Sequence, residues 1–158
     1  MSNPIGPVGF FALEAGECLD RLESLFGVAA GPAPEEFLRV ARVLRGSALM
    51  ANQALLGRAA AGFEALARAL RDGTRSWDAA TREQASQAIE EYRLLVRRVP
   101  DWQESDAGRA ARLAALLDSL AGQGPVEAAR LRRADATPAN SAVSNGYVCV
   151  TVTSLTRS

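Results

Sequence analysis

Residues 37–73, FLRVARVLRGSALMANQALLGRAAAGFEALARALRDG, contain two apolar stripes at helical spacing with a short polar interruption between them. Steps of three and four residues predict two amphipathic helices, at about residues 35–51 and 54–71. Asn52 begins the interruption, and Gly73 is typical of a helix end. The predicted buried faces are Phe37, Ala41, Leu44, Ala48 and Ala51 in the first helix, and Leu56, Ala60, Phe63, Ala67 and Leu70 in the second.

The same periodicity extends outward on both sides of this segment. It predicts further helices at about residues 10–26, 78–99 and 105–121, with Pro100 ending the second of them. Alanine is abundant and only 6% of the residues are aromatic, which favours closely packed helices over a sheet. The predicted fold is therefore all-α: an antiparallel up-and-down four-helix bundle with an additional C-terminal fifth helix.

The helical pattern predicts a bundle domain over residues 8–122, and the composition changes after it. Residues 123–145 are interpreted as a linker or a short helix plus a flexible segment. In residues 146–158, valines alternate with Cys149 and threonines, which indicates strand propensity. Because a lone strand is unstable in water, this tail belongs either to a following domain or to a disordered terminus.

Composition excludes several classes of function. The 18 basic residues are all arginine and balance 18 acidic residues, and the chain has neither lysine nor histidine. Nucleic acid is therefore a poor candidate partner, and Schiff-base lysines, serine–histidine dyads and histidine metal sites are excluded. We expect no cofactor and no metal. Cys18 and Cys149 lie far apart and are predicted to be free thiols of a cytoplasmic protein, since neither a signal peptide nor a membrane span is indicated.

One stretch of the second helix has an informative order of residues. Arg39 is followed by Arg42-Val43-Leu44-Arg45-Gly46-Ser47-Ala48, and Phe63-Glu64 lies on the next helix. This order resembles the histidine-containing phosphotransfer (HPt) domain, including the version at the front of chemotaxis kinases, in which a helix carries His-x-Leu-Lys-Gly-Ser-Ala. The first helix is similar to the opening of that family, so the resemblance covers about residues 9–99, and the fifth helix fits the chemotaxis-kinase variant.

The chain departs from this family at the phosphorylated position, which is Arg42. A guanidinium stays protonated and has no nucleophilic lone pair comparable to that of imidazole. No other histidine replaces it. The resemblance therefore implies a pseudo-phosphotransfer domain that is not an enzyme.

The candidate partner-binding residues form one stripe of the second helix, at steps of four, three and four, apart from its predicted buried face. The resemblance implies that Gly46 leaves room for an incoming receiver domain. Arg42 and Arg45 are then expected to form charge-assisted hydrogen bonds to the receiver's aspartates. The candidate residues are Leu38, Arg42, Arg45, Gly46 and Leu49.

The leading prediction is a non-catalytic module of two-component signalling that docks a response-regulator receiver domain or a histidine kinase. The alternative is a structural bundle that dimerises or spaces domains, and an unrelated enzyme ranks third. More ordinary interpretations remain for single residues: Arg42 and Arg45 as solvated arginines, Gly46 as a close-packing residue, and Glu64 with Arg68 as an exposed pair worth a few tenths of a kcal/mol. An open surface around Arg42 favours docking, and a covered one favours assembly.

Overall fold

The structure is a computed structural model that describes residues 6–123, and this range contains five α-helices. The all-α class expected from the sequence is confirmed. Short connections join the helices, and a 3₁₀ turn (Val99–Asp101) follows the fourth. The helices are α1 (Pro7–Phe26), α2 (Pro34–Met50), α3 (Ala54–Arg71), α4 (Ala79–Arg98) and α5 (Glu104–Asp118).

Local chemistry determines where these helices begin and end. Proline occupies the first helical position of α1 and α2, where no backbone N–H is needed. Asp78 caps α4 by accepting a 2.7 Å hydrogen bond from the Thr81 backbone N–H. At the end of α3, Gly73 has φ +77°, and the Thr74 N–H bonds back to the Ala69 carbonyl. This pairing is a Schellman-type helix end.

Contacts between side chains show that α1 and α2 run antiparallel. On α1 and α2, Arg21 pairs with Glu36 near one end, and Ser47 donates to Glu14 near the other. α1 also packs on α4, where Arg93 contacts Asp20 at 2.8 Å. A row of aromatic rings fills the centre: Phe26 packs on Phe37, Phe37 on Phe63, and Phe63 on Tyr92. The centroids of neighbouring rings are 5.1–6.5 Å apart.

The fifth helix completes the core on the side between α3 and α4. It packs against both of these helices, and its buried side includes Leu113 and Leu117. At Gly62 of α3 the two backbones approach so closely that an added Cβ would lie 2.6 Å from the Leu117 Cβ. α3 is consequently covered by α2 on one side and α5 on another, and most of its circumference is buried.

The helix boundaries agree with the predictions to within a few residues. α1 begins three residues before its predicted start, at Pro7. α5 ends three residues before its predicted end, at Asp118, and continues as a π-type turn (Ser119–Gln123) in which Gly122 adopts φ 104°. Apart from the backbone of Gln123, the predicted linker (123–145) and tail (146–158), with Cys149, lie outside the described residues. None of the described helices has the length and apolar character needed to cross a membrane.

Candidate functional site

Three arginines from two helices converge on one buried carboxylate. Glu64 of α3 is only 1% exposed, although it carries a charge. Arg68, one helical turn further along α3, contacts its Oε1 through Nη2 at 3.0 Å. From α2, Arg45 Nε lies 2.9 Å from Oε2, and Arg42 Nε lies 3.9 Å from Oε1. A buried charge is tolerated only when it is paired, and these guanidiniums provide the pairing.

The pairing is uneven between the two carboxylate oxygens. Oε1 accepts a hydrogen bond from Arg68. The N–H of Arg45 is not directed at Oε2, so that oxygen accepts no hydrogen bond from the described residues despite the short distance. Arg42 is the most loosely held of the three, and 55% of its side chain is exposed. The three guanidinium groups therefore lie at the surface while the carboxylate that holds them is inside.

Gly46 lies one helical turn after Arg42, at the middle of the outward face of α2. An added Cβ at this position would meet no atom within 4 Å, so Gly46 does not serve close packing of helices. A glycine inside a helix costs about 0.5–1 kcal/mol relative to alanine. Nothing within the described part of the chain requires this residue, and its effect is to leave the surface beside Arg42 without a side chain.

Arg42, Arg45, Gly46 and Leu49 lie at this surface, but the expectation that Leu38 lies outside the buried face of α2 is wrong. Arg42, Arg45 and Leu49 are exposed and Gly46 is partly exposed, whereas Leu38 is 3% exposed and belongs to the hydrophobic core. The stripe runs along the edge of α2 that faces α3. At such an edge an apolar side chain turns into the core, while long arginines reach out to water. We call Arg42, Arg45, Gly46 and Leu49, with Glu64 and Arg68, the α2–α3 surface.

The expectation that Glu64 and Arg68 form an exposed pair is also wrong, because Glu64 is buried. On the helical wheel Glu64 lies only about 40° from Ala60 and 60° from Ala67, and both of these residues are fully buried. This position at the margin of the apolar stripe is the sequence signal that indicates the burial of Glu64. Ser47 is a small buried polar residue of α2, and its hydroxyl donates a hydrogen bond to Glu14 at 3.4 Å.

An apolar groove lies on the other side of α2, against the start of α1. Its volume is about 410 Å³, and the polar groups in it are Glu14 and Ser47. Phe10 and Met50 at its edges are 63% and 86% exposed. Its lining is Pro7, Phe10, Phe11, Glu14, Ser47, Met50 and Ala51. An exposed apolar surface of this kind is typical of a contact with another protein.

The Cys18 thiol lies on the buried side of α1. Burial, with smaller contributions from Glu14 and Glu17, raises the pKa of the Cys18 thiol to about 11, so the thiol stays protonated and unreactive at neutral pH. Within residues 6–123 no three cysteine or carboxylate side chains converge as metal ligands would.

Comparison of the chain with protein-family models, with curated proteins and with solved structures finds no match.

Proposed function

We propose that this protein is a pseudo-HPt module of two-component signalling, which docks a receiver domain on its α2–α3 surface and does not accept phosphate. The observation that carries the proposal is the open position at Gly46 beside the exposed guanidinium of Arg42. A receiver presents clustered aspartates around its phosphorylation site, and arginine is suited to bidentate pairing with carboxylates.

The bundle supports this proposal in two further ways. Glu64 restrains the arginines of α2 and α3, so that less side-chain entropy is lost when a partner binds. The exposed apolar Leu49 borders the same surface, and apolar contact next to charge pairing is the usual composition of a protein interface.

Replacing Gly46 is the sharpest test of docking. Because an added Cβ at this position would meet no atom within 4 Å, we expect Gly46→Leu to fold normally and to improve helix propensity. The added side chain would nevertheless stand in the way of a partner. The wild type and G46L are each titrated calorimetrically with a panel of purified receiver domains. We expect at least one receiver domain to bind the wild type, and its affinity for G46L to be at least about tenfold weaker. Equal affinity, together with unchanged thermal stability, would refute docking at this surface.

A charge test replaces Arg42 and Arg45 of α2 with glutamine, since glutamate at these positions would repel the buried Glu64. R42Q/R45Q should weaken receiver binding and reduce its dependence on salt concentration. The matched control is R82Q/R97Q, which removes the same charge from two exposed positions of α4. A control that loses as much affinity as R42Q/R45Q would show that only net charge matters.

The alternative function is a structural bundle that forms dimers, and the exposed Phe10 and Met50 beside the apolar groove favour it. Light scattering coupled to size exclusion distinguishes the two. If the chain is a dimer that F10S/M50S converts to a monomer, and G46L leaves the dimer intact, assembly is the function of the groove. Monomeric wild type at about 100 μM would argue against it, because stable interfaces usually have Kd values below that concentration.

A further inference from the structure

The arginine cluster carries more positive charge than Glu64 neutralises. Three guanidinium groups lie within 4.0 Å of a single carboxylate, so two positive charges remain in excess. These charges lie at the surface, because each arginine side chain is about half exposed while Glu64 is buried. The cluster is therefore matched in charge to a dianion.

The terminal guanidinium nitrogens of Arg42 and Arg45 are suited to binding a tetrahedral oxyanion. Arg42 and Arg45 both approach Glu64 with Nε, and their terminal Nη1 and Nη2 groups make no hydrogen bond to another described residue. The two side chains are one turn apart on α2 and present two neighbouring pairs of N–H donors. A carboxylate has two oxygens and occupies one such pair, whereas a phosphoryl group has three and is able to bridge both.

We propose that Arg42, Arg45 and Arg68, held by the buried Glu64, bind the phosphoryl group of a phosphorylated protein partner. The inference rests on the proposed function, because it takes the same surface as the docking site. It adds that the surface distinguishes a phosphorylated partner from an unphosphorylated one. No bond to phosphorus forms or breaks, since none of the three arginines is a nucleophile, and Gly46 leaves the approach to Arg42 open.

The test uses the full chain with small anions in place of a partner. Methyl phosphate is titrated at constant ionic strength while the arginine Nε–Hε resonances are followed by NMR. We expect saturable shifts at Arg42 and Arg45, and tighter binding at pH 7.5 than at pH 5.5, because a phosphate monoester gains its second charge near pH 6. The chain has no histidine, so no side chain of ordinary pKa in that interval confuses the comparison.

Two other anions separate charge from geometry. Sulfate is a tetrahedral dianion at both pH values, so it should bind with the same affinity at each. Acetate should bind at least about tenfold more weakly than methyl phosphate, since it lacks the third oxygen and the second charge. Equal affinity for acetate and methyl phosphate, or shifts that do not saturate, would overturn the inference.

Two single variants, R42Q and R82Q, test whether methyl phosphate binds at the arginine cluster. R42Q should lower the affinity for methyl phosphate about tenfold or more, and it should fold normally because Arg42 holds Glu64 only loosely at 3.9 Å. R82Q, at an exposed arginine of α4, should leave the affinity unchanged. An R42Q variant that binds as well as wild type would overturn the inference.

These measurements separate the inference from the proposed function. If methyl phosphate does not bind but a receiver binds wild type and not G46L, the phosphoryl site is refuted and receiver docking stands. If methyl phosphate binds in the expected manner and no receiver does, the phosphoryl site stands and receiver docking is refuted.

Discussion

At the scale of single residues, a phenol and a thiol, which ionise only in the alkaline range, are buried within residues 6–123. Tyr92 is fully buried, and its hydroxyl donates a 3.0 Å hydrogen bond to the Leu56 carbonyl; burial raises the pKa of this phenol. Cys18 is buried without such a bond in a core stripe of α1. Both groups are therefore stable only in their neutral forms, which limits the alkaline range in which the fold is stable.

The thiol gives a pH prediction. The pKa of Cys18 rises from 9.0 to about 11 on folding, so the folded state holds this proton more tightly than the unfolded state. Its contribution to stability is fully present below pH 9.0 and is lost as the pH rises toward about 11. Urea denaturation of wild type should therefore show a steeper loss of stability across this interval than C18A shows. Tyr92 is common to both proteins, and parallel curves would contradict the assigned cause.

At the scale of elements, glycine has opposite roles on α2 and α3. Gly46 faces open space, whereas Gly62 lies against the Leu117 Cβ, which cannot move without moving α5. Gly46→Ala should raise the free energy of unfolding by about 0.5–1 kcal/mol through helix propensity. Gly62→Ala should lower it by about 1–3 kcal/mol through overpacking. Chemical denaturation of the pair measures both, and a stabilising G62A would disprove the close contact of α3 with α5.

The pairing between α2 and α3 gives a second prediction at this scale. R45A/R68A leaves Glu64 with only the distant Arg42, and an uncompensated buried charge costs about 3–5 kcal/mol. The exposed arginines reduce that figure through solvent screening, so we expect a loss of about 2 kcal/mol. Adding E64L to the double variant should restore most of the loss, because the buried charge is then gone. Failure of E64L to restore stability would mean that the arginines act through packing alone.

The positions of the helices were predictable from the sequence. The burial and exposure of residues at the margins of their apolar faces were harder to predict. Apolar spacing and Gly73 predicted α3 to the residue, because helix periodicity and helix-ending glycines are local properties. The burial of Leu38 depends on which helices flank α2, and the periodicity of one helix does not specify that. Gly46 is noticeable in the sequence as a glycine inside a helix, but only the structure shows that the space beside it is open.

At the scale of the whole molecule, α5 is part of the core. Its Leu117 is fully buried against α3, although the sequence suggested only an addition to a four-helix bundle. Leu117→Ala should therefore cost about 2–5 kcal/mol, the range of a central core position. The neighbouring Leu116→Ala should cost less, since Leu116 is only half-buried. Thermal unfolding of the two variants tests this, and equal small effects would show that the bundle is stable without α5.

The short turn between α2 and α3 limits where the chain can accept inserted residues. Only Ala51, Asn52 and Gln53 connect the two helices, and Asn52 adopts φ 59°, a conformation that asparagine accepts more readily than most residues. One inserted residue here, if absorbed by either helix, would rotate that helix by about 100° and carry the guanidiniums away from their shared carboxylate. Insertions are thus tolerated far better in the seven-residue connections on either side, and natural variants should vary in length there while this junction stays constant.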